Sequence, residues 1–512
     1  VTHISRRSFL IGLAAVPLAA SAGCVVAQSS PPAPGTAPTG KFTRSLPIPP
    51  LAASTVDAAG TRHFVLTAGT GHSEVLAGKS TATWGFNGSM LGPTIRARRG
   101  EAVAFTIDNA LPEPTSVHWH GMHVPARFDG GPHQAIEPGA RWEPTWTVNQ
   151  PGATLWYHPH PHGSTEKHVY RGLAGLFLVD DDVTDAIDLP KDYGVDDIPL
   201  IIQDKRFTAD GTLDESDPTD VGLLGDTIVT NGIAGAYLPV TTELVRLRIL
   251  NGSGGRTYNL AFSDDREFQL VATDGGLLSA PTALRRLQLS PGERAEIVVA
   301  MRGGSDVVLR SVPADDRGGL DRAAAAQFGF TDTFDIVELR PERTLGPSPA
   351  VPSALAPIAR LDPSTAVAER DFELQWFMIN GARMDMNRID FSPTVYTTEI
   401  WTVRNADNWP HNFHVHDVQF QVLDIDGSPP PAHLAGWKDT VYAPPGRRIR
   451  LALRFTEYTD PAVPYMFHCH LLLHEDQGMM GQFLVLEPGA TPRPMQMGTS
   501  APTTAGHGGH GG

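Results

Sequence analysis

Met466-Phe-His-Cys-His-Leu-Leu-Leu-His-Glu-Asp-Gln-Gly-Met-Met480 carries a cysteine between two histidines, a third histidine five residues after the cysteine and a methionine ten after it. In an extended segment neighbouring side chains point to opposite faces, so Cys469 is aimed one way and His468 and His470 the other. A thiolate, two imidazoles and a weak axial thioether are the ligands of a blue copper electron-transfer site. Cys469, His474 and Met479 supply three of those four, and the second histidine has to come from elsewhere in the chain. A buried free cysteine in an apolar strand would account for the thiol but not for the residues around it.

The 512-residue chain has 51 Gly, 44 Pro and a formal net charge of −16. Its length allows roughly two to four domains. Frequent turn formers, and no apolar run long enough to span a bilayer, favour an all-β fold over a membrane protein. The acidic balance, with no concentrated basic surface, argues against a nucleic-acid partner. With Cys24 and Cys469 as the only cysteines, a ligand role for one leaves no disulfide framework.

Residues 1–27 read as an export signal: Ser5-Arg6-Arg7-Ser8-Phe9-Leu10 has a twin-arginine pattern, followed by a short apolar run. The expected location is therefore periplasmic, cell-envelope or extracellular. Ser21-Ala22-Gly23-Cys24 resembles a lipoprotein site that would leave Cys24 lipidated as a membrane tether, whereas cleavage after Val25-Val26-Ala27 would discard it. Residues 28–45, rich in Ser, Pro and Gly, read as a flexible tether. The Gly/His segment of 491–512 reads as a disordered tail, with weak copper scavenging by His507 and His510 as the sharper alternative.

Between these ends the chain repeats. Phe105-Thr-Ile-Asp-Asn109, Leu247-Arg-Ile-Leu-Asn251 and Trp401-Thr-Val-Arg-Asn405 each close a β-rich run on an asparagine. Nine residues after the first and third stand His118 and His414, each with a partner two further on, His120 and His416; the middle copy has Leu260 and Phe262. Likewise Trp156-Tyr-His158-Pro-His160 parallels Met466-Phe-His468-Cys-His470, with Pro159 where Cys469 stands and Leu173 where Met479 stands. The repeats predict three consecutive β-sandwich domains, at about 46–182, 190–345 and 365–490, with a Pro-rich linker at 346–364. No histidine occurs between His168 and His411. The middle domain is expected to hold no imidazole-bound copper and to keep its neighbours in contact.

The paired histidines number eight, from two segments in each outer domain. Members of an extended H-x-H pair share a face, so each pair can reach two metal ions. Eight imidazoles suit three copper ions with positions left open for oxygen, a cluster neither domain could build alone.

From about 46 to 487 the chain resembles a three-domain multicopper oxidase, most like the bacterial copper-efflux (cuprous) and laccase-like enzymes. The motifs are His118-Trp-His120-Gly, Trp156-Tyr-His158-Pro-His160, His411-Asn-Phe-His414-Val-His416 and His468-Cys469-His470-Leu-Leu-Leu-His474 with Met479. The resemblance implies three consecutive cupredoxin-like Greek-key β-sandwich domains and four copper ions. Type 1 copper would take His411, Cys469, His474 and Met479, with Met480 as the alternative axial ligand. Type 2 copper would take His118 and His414, and the type 3 pair His120, His158, His160, His416, His468 and His470. It further implies that electrons from the type 1 site travel through Cys469 to its two neighbouring histidines, and that O2 is reduced to water with Asp129 and Glu475 relaying protons. Asp407 stands where the family places its substrate carboxylate, while Trp409 replaces the usual methionine and no methionine-rich insert is present. The expected donors are accordingly Cu(I) or phenolic and amine compounds, in copper tolerance, with one chain sufficient as a monomer. The rival is a copper buffer or envelope scaffold on the same fold, although scaffold relatives have lost their ligands and this chain keeps them.

Overall fold

The computed structural model describes residues 42–493. The expected export signal, Cys24 and nearly all of the expected tether and tail lie outside the described residues. Six sheets pair into three β-sandwiches of cupredoxin type, as the all-β reading requires.

In the first sandwich, a sheet built on Arg62–Ser73 and Ala102–Asn109 faces a three-stranded sheet of Ile95–Arg98, Gly175–Asp180 and Ala153–Tyr157. Alternate residues of Ala102–Asn109 are buried, the period-two pattern of a strand with one face on a core. Phe105, Trp119, Trp146 and Phe177 fill that core, each buried ring contributing about 2–3 kcal/mol of transfer free energy. The middle sandwich pairs a seven-stranded with a six-stranded sheet, and Leu260 and Phe262 lie in its core. The third pairs a sheet around Thr398–Asn405 with one of order Thr440–Ala443, His411–Val415, Tyr465–His468, Met480–Phe483.

The repeated asparagine has a structural cause. In all three copies its side-chain oxygen accepts the backbone N–H two residues on (Leu111, Ser253, Asp407). Its amide donates to a carbonyl four or five residues on (Glu113, Arg256, Trp409) and to one from a distant segment (Ile136, Leu289, Ala443). One buried side chain thus satisfies three backbone groups where the strand ends, and sets the direction of the segment that brings the next element in.

Two expected boundaries differ in detail. The end of the expected tether is ordered: Arg44–Ser45 adds a parallel strand beside Ala236 and Tyr237, and Leu46 enters the core of the middle sandwich rather than the first. The expected linker is packed too, since Leu355 lies in the same core and bonds to Ser279. Pairing with an open strand edge satisfies backbone groups that a free tether would leave to water.

The outer sandwiches touch directly. Tyr465 donates its hydroxyl to Val124 O at 2.6 Å, and Asp476 accepts the N–H groups of Thr165 and Glu166 at the start of helix Thr165–Arg171. No helix among the described residues is long and apolar enough to cross a membrane.

Candidate metal centre

Cys469 follows strand Tyr465–His468, which lies between His411–Val415 and Met480–Phe483. Its Sγ is 3.6 Å from His411 Nδ1 and 3.5 Å from His474 Nδ1, and the two nitrogens are 3.0 Å apart. His474 Nε2 faces the carbonyl of Asp220 at 2.8 Å. A carbonyl only accepts, so that nitrogen carries the proton and Nδ1 presents a lone pair. His411 is turned the same way by Asp407, whose Oδ2 is 3.0 Å from its Nε2. Burial pushes both imidazoles down, keeping them neutral, and pushes the Cys469 thiol up to about 12. Such a thiol ionises when a metal ion takes the proton's place.

Met479 shares the core around Cys469, whereas Met480 opens a strand with His468 as its register partner. Paired residues share a face, so Met480 sides with His468 and Met479 falls on the thiol's side.

All eight paired histidines are buried and converge between the outer sandwiches. His118, His158, His414 and His468 each point Nδ1 at a backbone carbonyl (Asp129, Pro159, Asp439 and Cys469) at 2.8–3.1 Å. Their protons are thereby placed on Nδ1 and their Nε2 lone pairs face inward. His120 is reversed: Nε2 meets Asp439 Oδ1 at 3.0 Å, leaving Nδ1 without a partner. His468 Nε2 lies 3.2 Å from His416 Nε2 and 3.3 Å from His160 Nε2. With the Nδ1 of His416 against a carboxylate, the lone pairs of His416 and His468 oppose one another.

This arrangement fits copper. Buried polar atoms are nearly always paired, yet inward nitrogens of His118, His120, His158, His414 and His470 have no partner. Leaving each buried without one costs about 1–3 kcal/mol, and neutral imidazole is a good copper ligand in both oxidation states. Burial pushes His120, His158, His160, His414 and His468 well down, and His470 to about 3, so lone pairs are available at neutral pH.

Two carboxylates flank the cluster. Asp129 Oδ2 accepts from His416 Nδ1 at 2.6 Å, and its carbonyl holds His118. Burial would raise its pKa, but His416 and His118 hold it well below the ordinary carboxylate range. Gly130 makes this turn possible: it has φ 79°, and a Cβ there would lie 1.8 Å from the Val117 carbonyl. Glu475 sits opposite, Oε1 3.3 Å from His160 Nδ1 and Oε2 3.4 Å from His468 Nδ1, with Thr165 donating to Oε1 at 2.5 Å. Burial, then Asp476, pushes Glu475 well above the ordinary value, which favours its protonated form.

Several residues here escape a motif search. Asp439 accepts from His120 and from both terminal nitrogens of buried Arg294, at 2.7 and 2.5 Å. Asn412 accepts the His470 N–H at 2.5 Å and lies 3.6 Å from Cys469 Sγ. Asn412 at least sits inside the His411-Asn-Phe-His414 run; Asp439, Thr165 and the Asp220 carbonyl have no local sequence signal.

The mononuclear Cys/His group and the histidine cluster together match one type 1 copper beside a trinuclear type 2/type 3 site, four ions in all, on a cupredoxin fold. Two family models, both described as multicopper oxidase, match residues 67–184 and 357–489. The chain is 35% identical to multicopper oxidase mco of Staphylococcus epidermidis over 441 residues, covering 85% of this chain and 91% of that one. It is 36% identical to cell division protein FtsP of Escherichia coli K12 over 496 residues, 94% of this chain and 99% of the relative. The laccase-like multi-copper oxidase CueO of an Ochrobactrum species superposes with a TM-score of 0.78 at 35% identity, over 86% of this chain and all of that one. The chain belongs to the multicopper oxidase family. It is an enzyme that couples oxidation of a reducing substrate to reduction of O2.

Proposed function

We propose that His411, Cys469, His474 and Met479 hold the type 1 copper, His118 and His414 the type 2 copper, and His120, His158, His160, His416, His468 and His470 the type 3 pair. The observation that carries this reading is the opposed, unprotonated imidazole nitrogens. Those of His160, His416 and His468 form one group, the rings of His120 and His158 lie 4.8 and 5.2 Å from that of His470, and His118 faces His414 at 5.9 Å.

Bound copper supplies one-electron oxidation at the mononuclear site and four-electron reduction of O2 to water at the cluster. Cys469 is peptide-bonded to both His468 and His470, which gives the two sites a short covalent connection. Asp129 stabilises the Nδ1 proton of His416, while neutral Glu475 stores a proton between His160 and His468. These two carboxyls are the proton relay.

The proposed donors are Cu(I) and phenolic or amine compounds, with a role in copper tolerance in the cell envelope, reached by the twin-arginine route. Asp407 lies against the copper-facing His411, and the Ochrobactrum relative is described as having oxidase activity towards lignin model compounds. Copper-loaded protein is expected to be blue, to bind four ions and to consume oxygen with Cu(I) and with 2,6-dimethoxyphenol. A colourless, inactive loaded protein would remove the reading. Similarity to proteins named for cell division supports a second, envelope role. Normal division and normal copper resistance in a deletion strain would count against both physiological roles.

A further inference from the structure

Strands Ala366–Gln375 and Met378–Ile379 form a hairpin with Gln375 opposite Met378, leaving Trp376 and Phe377 as its two-residue tip. Trp376 has φ 58°. Two-residue hairpin turns call for glycine, asparagine or aspartate at such a position, and a bulky residue there is a genuine outlier. Its side chain is also 57% exposed, so burial does not repay the backbone strain. Among the described residues Trp376 and Tyr396 are the only exposed large aromatic side chains. Strain maintained without packing in return is a recurrent feature of functional positions.

The tip is tied to the mononuclear site. The Trp376 N–H donates to Asp407 Oδ2, the same oxygen that faces His411 Nε2. The Trp376 ring lies 5.9 Å from that of Trp409, which lies 6.3 Å from His474. Phe377 closes the triangle, 5.7 Å from Trp409 and 5.3 Å from His474. A continuous aromatic surface therefore runs from solvent to the edge of a proposed copper ligand, and one carboxylate holds its outer end and that site in register.

We infer that Trp376, with Trp409 behind it, is the docking platform for planar, electron-rich aromatic donors of the methoxyphenol class. The inference rests on the type 1 assignment above and deepens its phenolic arm. An aromatic ring gains from offset stacking on such a surface, and the indole face attracts cationic amines as well. A cuprous ion can meet the indole face only as a cation and has no ring to stack on it, so the platform favours aromatic donors over the metal ion.

The test compares wild type, Trp376→Gly and Trp376→Tyr as copper-loaded full-length chains. Glycine suits the backbone angle, so loss of the ring is separated from misfolding. The ratio of kcat/KM for 2,6-dimethoxyphenol to that for Cu(I) is expected to fall tenfold or more in Trp376→Gly, mainly through KM, and to recover at least half-way in Trp376→Tyr. In parallel, binding of redox-inert 1,3-dimethoxybenzene is followed by saturation-transfer NMR, and its signal is expected to be lost in Trp376→Gly and kept in Trp376→Tyr. An unchanged ratio with unchanged NMR binding would overturn the platform while leaving the oxidase reading intact. Failure of wild type to oxidise either donor would instead overturn the donor assignment, and the NMR arm would still decide for or against the platform.

Discussion

Replacing Glu475 by Gln isolates proton transfer from everything else the carboxyl does. In the folded protein the group is buried, and burial, then Asp476, favours its neutral form by pushing its pKa well above the ordinary value. Glutamine has the same shape and the same charge as that neutral acid, and its carbonyl oxygen can still accept from Thr165. The variant should therefore change stability by only about 1 kcal/mol, the scale of one exchanged hydrogen bond. What it cannot do is release a proton toward the space between His160 and His468. Losing a positioned acid typically slows turnover by about 10²–10⁴-fold, equivalent to roughly 3–5 kcal/mol of barrier. The assay is oxygen uptake at saturating 2,6-dimethoxyphenol, read beside anaerobic bleaching of the blue band by the same donor. Bleaching should keep its wild-type rate, since the side chains in contact with Cys469 Sγ are those of His411, Asn412 and His474, while kcat falls at least a hundredfold. A kcat within twofold of wild type, with the fold intact, would show that Glu475 carries no proton and would refute the relay.

Cys469→Ser should abolish the blue absorption and oxygen uptake while leaving far-ultraviolet circular dichroism unchanged; retained colour would remove Cys469 from the copper site. Gly130→Ala should destabilise the protein by more than about 2 kcal/mol in chemical denaturation, because the added Cβ meets the Val117 carbonyl at a positive φ. The copper-free protein should lose stability on acidification. His416 is pushed down to about 4 by burial first and His118 second, and His470 to about 3 by burial first, from an ordinary 6.5. The unfolded chain then takes up protons before the folded one does. The contribution is whole above about pH 6.5 and falls away toward pH 3–4, with about 3 kcal/mol at stake from His416 alone. Thermal unfolding of copper-free protein between pH 8 and 4 measures it, and a flat profile would contradict the neutral-imidazole picture.

The histidine pairs were legible in the sequence because metal ligation demands particular side chains at short spacings. The repeated asparagine was legible because one side chain bonding three backbone groups leaves little room for substitution. What was hidden acts through the backbone or across domains. His474 is oriented by the carbonyl of Asp220, and any residue supplies a carbonyl. His120 is oriented by Asp439, which Arg294 of the middle sandwich holds in place from 145 positions away in sequence. The expectation that the histidine-free middle sandwich holds its neighbours in contact thus understates it. Through Asp220 it sets the tautomer of one ligand in the mononuclear group, and through Arg294 and Asp439 it sets the ring of one in the cluster. Arg294 is fully buried, so removing its charge would leave Asp439 unpaired in a low-dielectric site, a loss of several kcal/mol felt at His120. A sandwich without one imidazole of its own therefore shapes both copper sites, and it does so through protons: where they sit decides which nitrogens are left to bind metal.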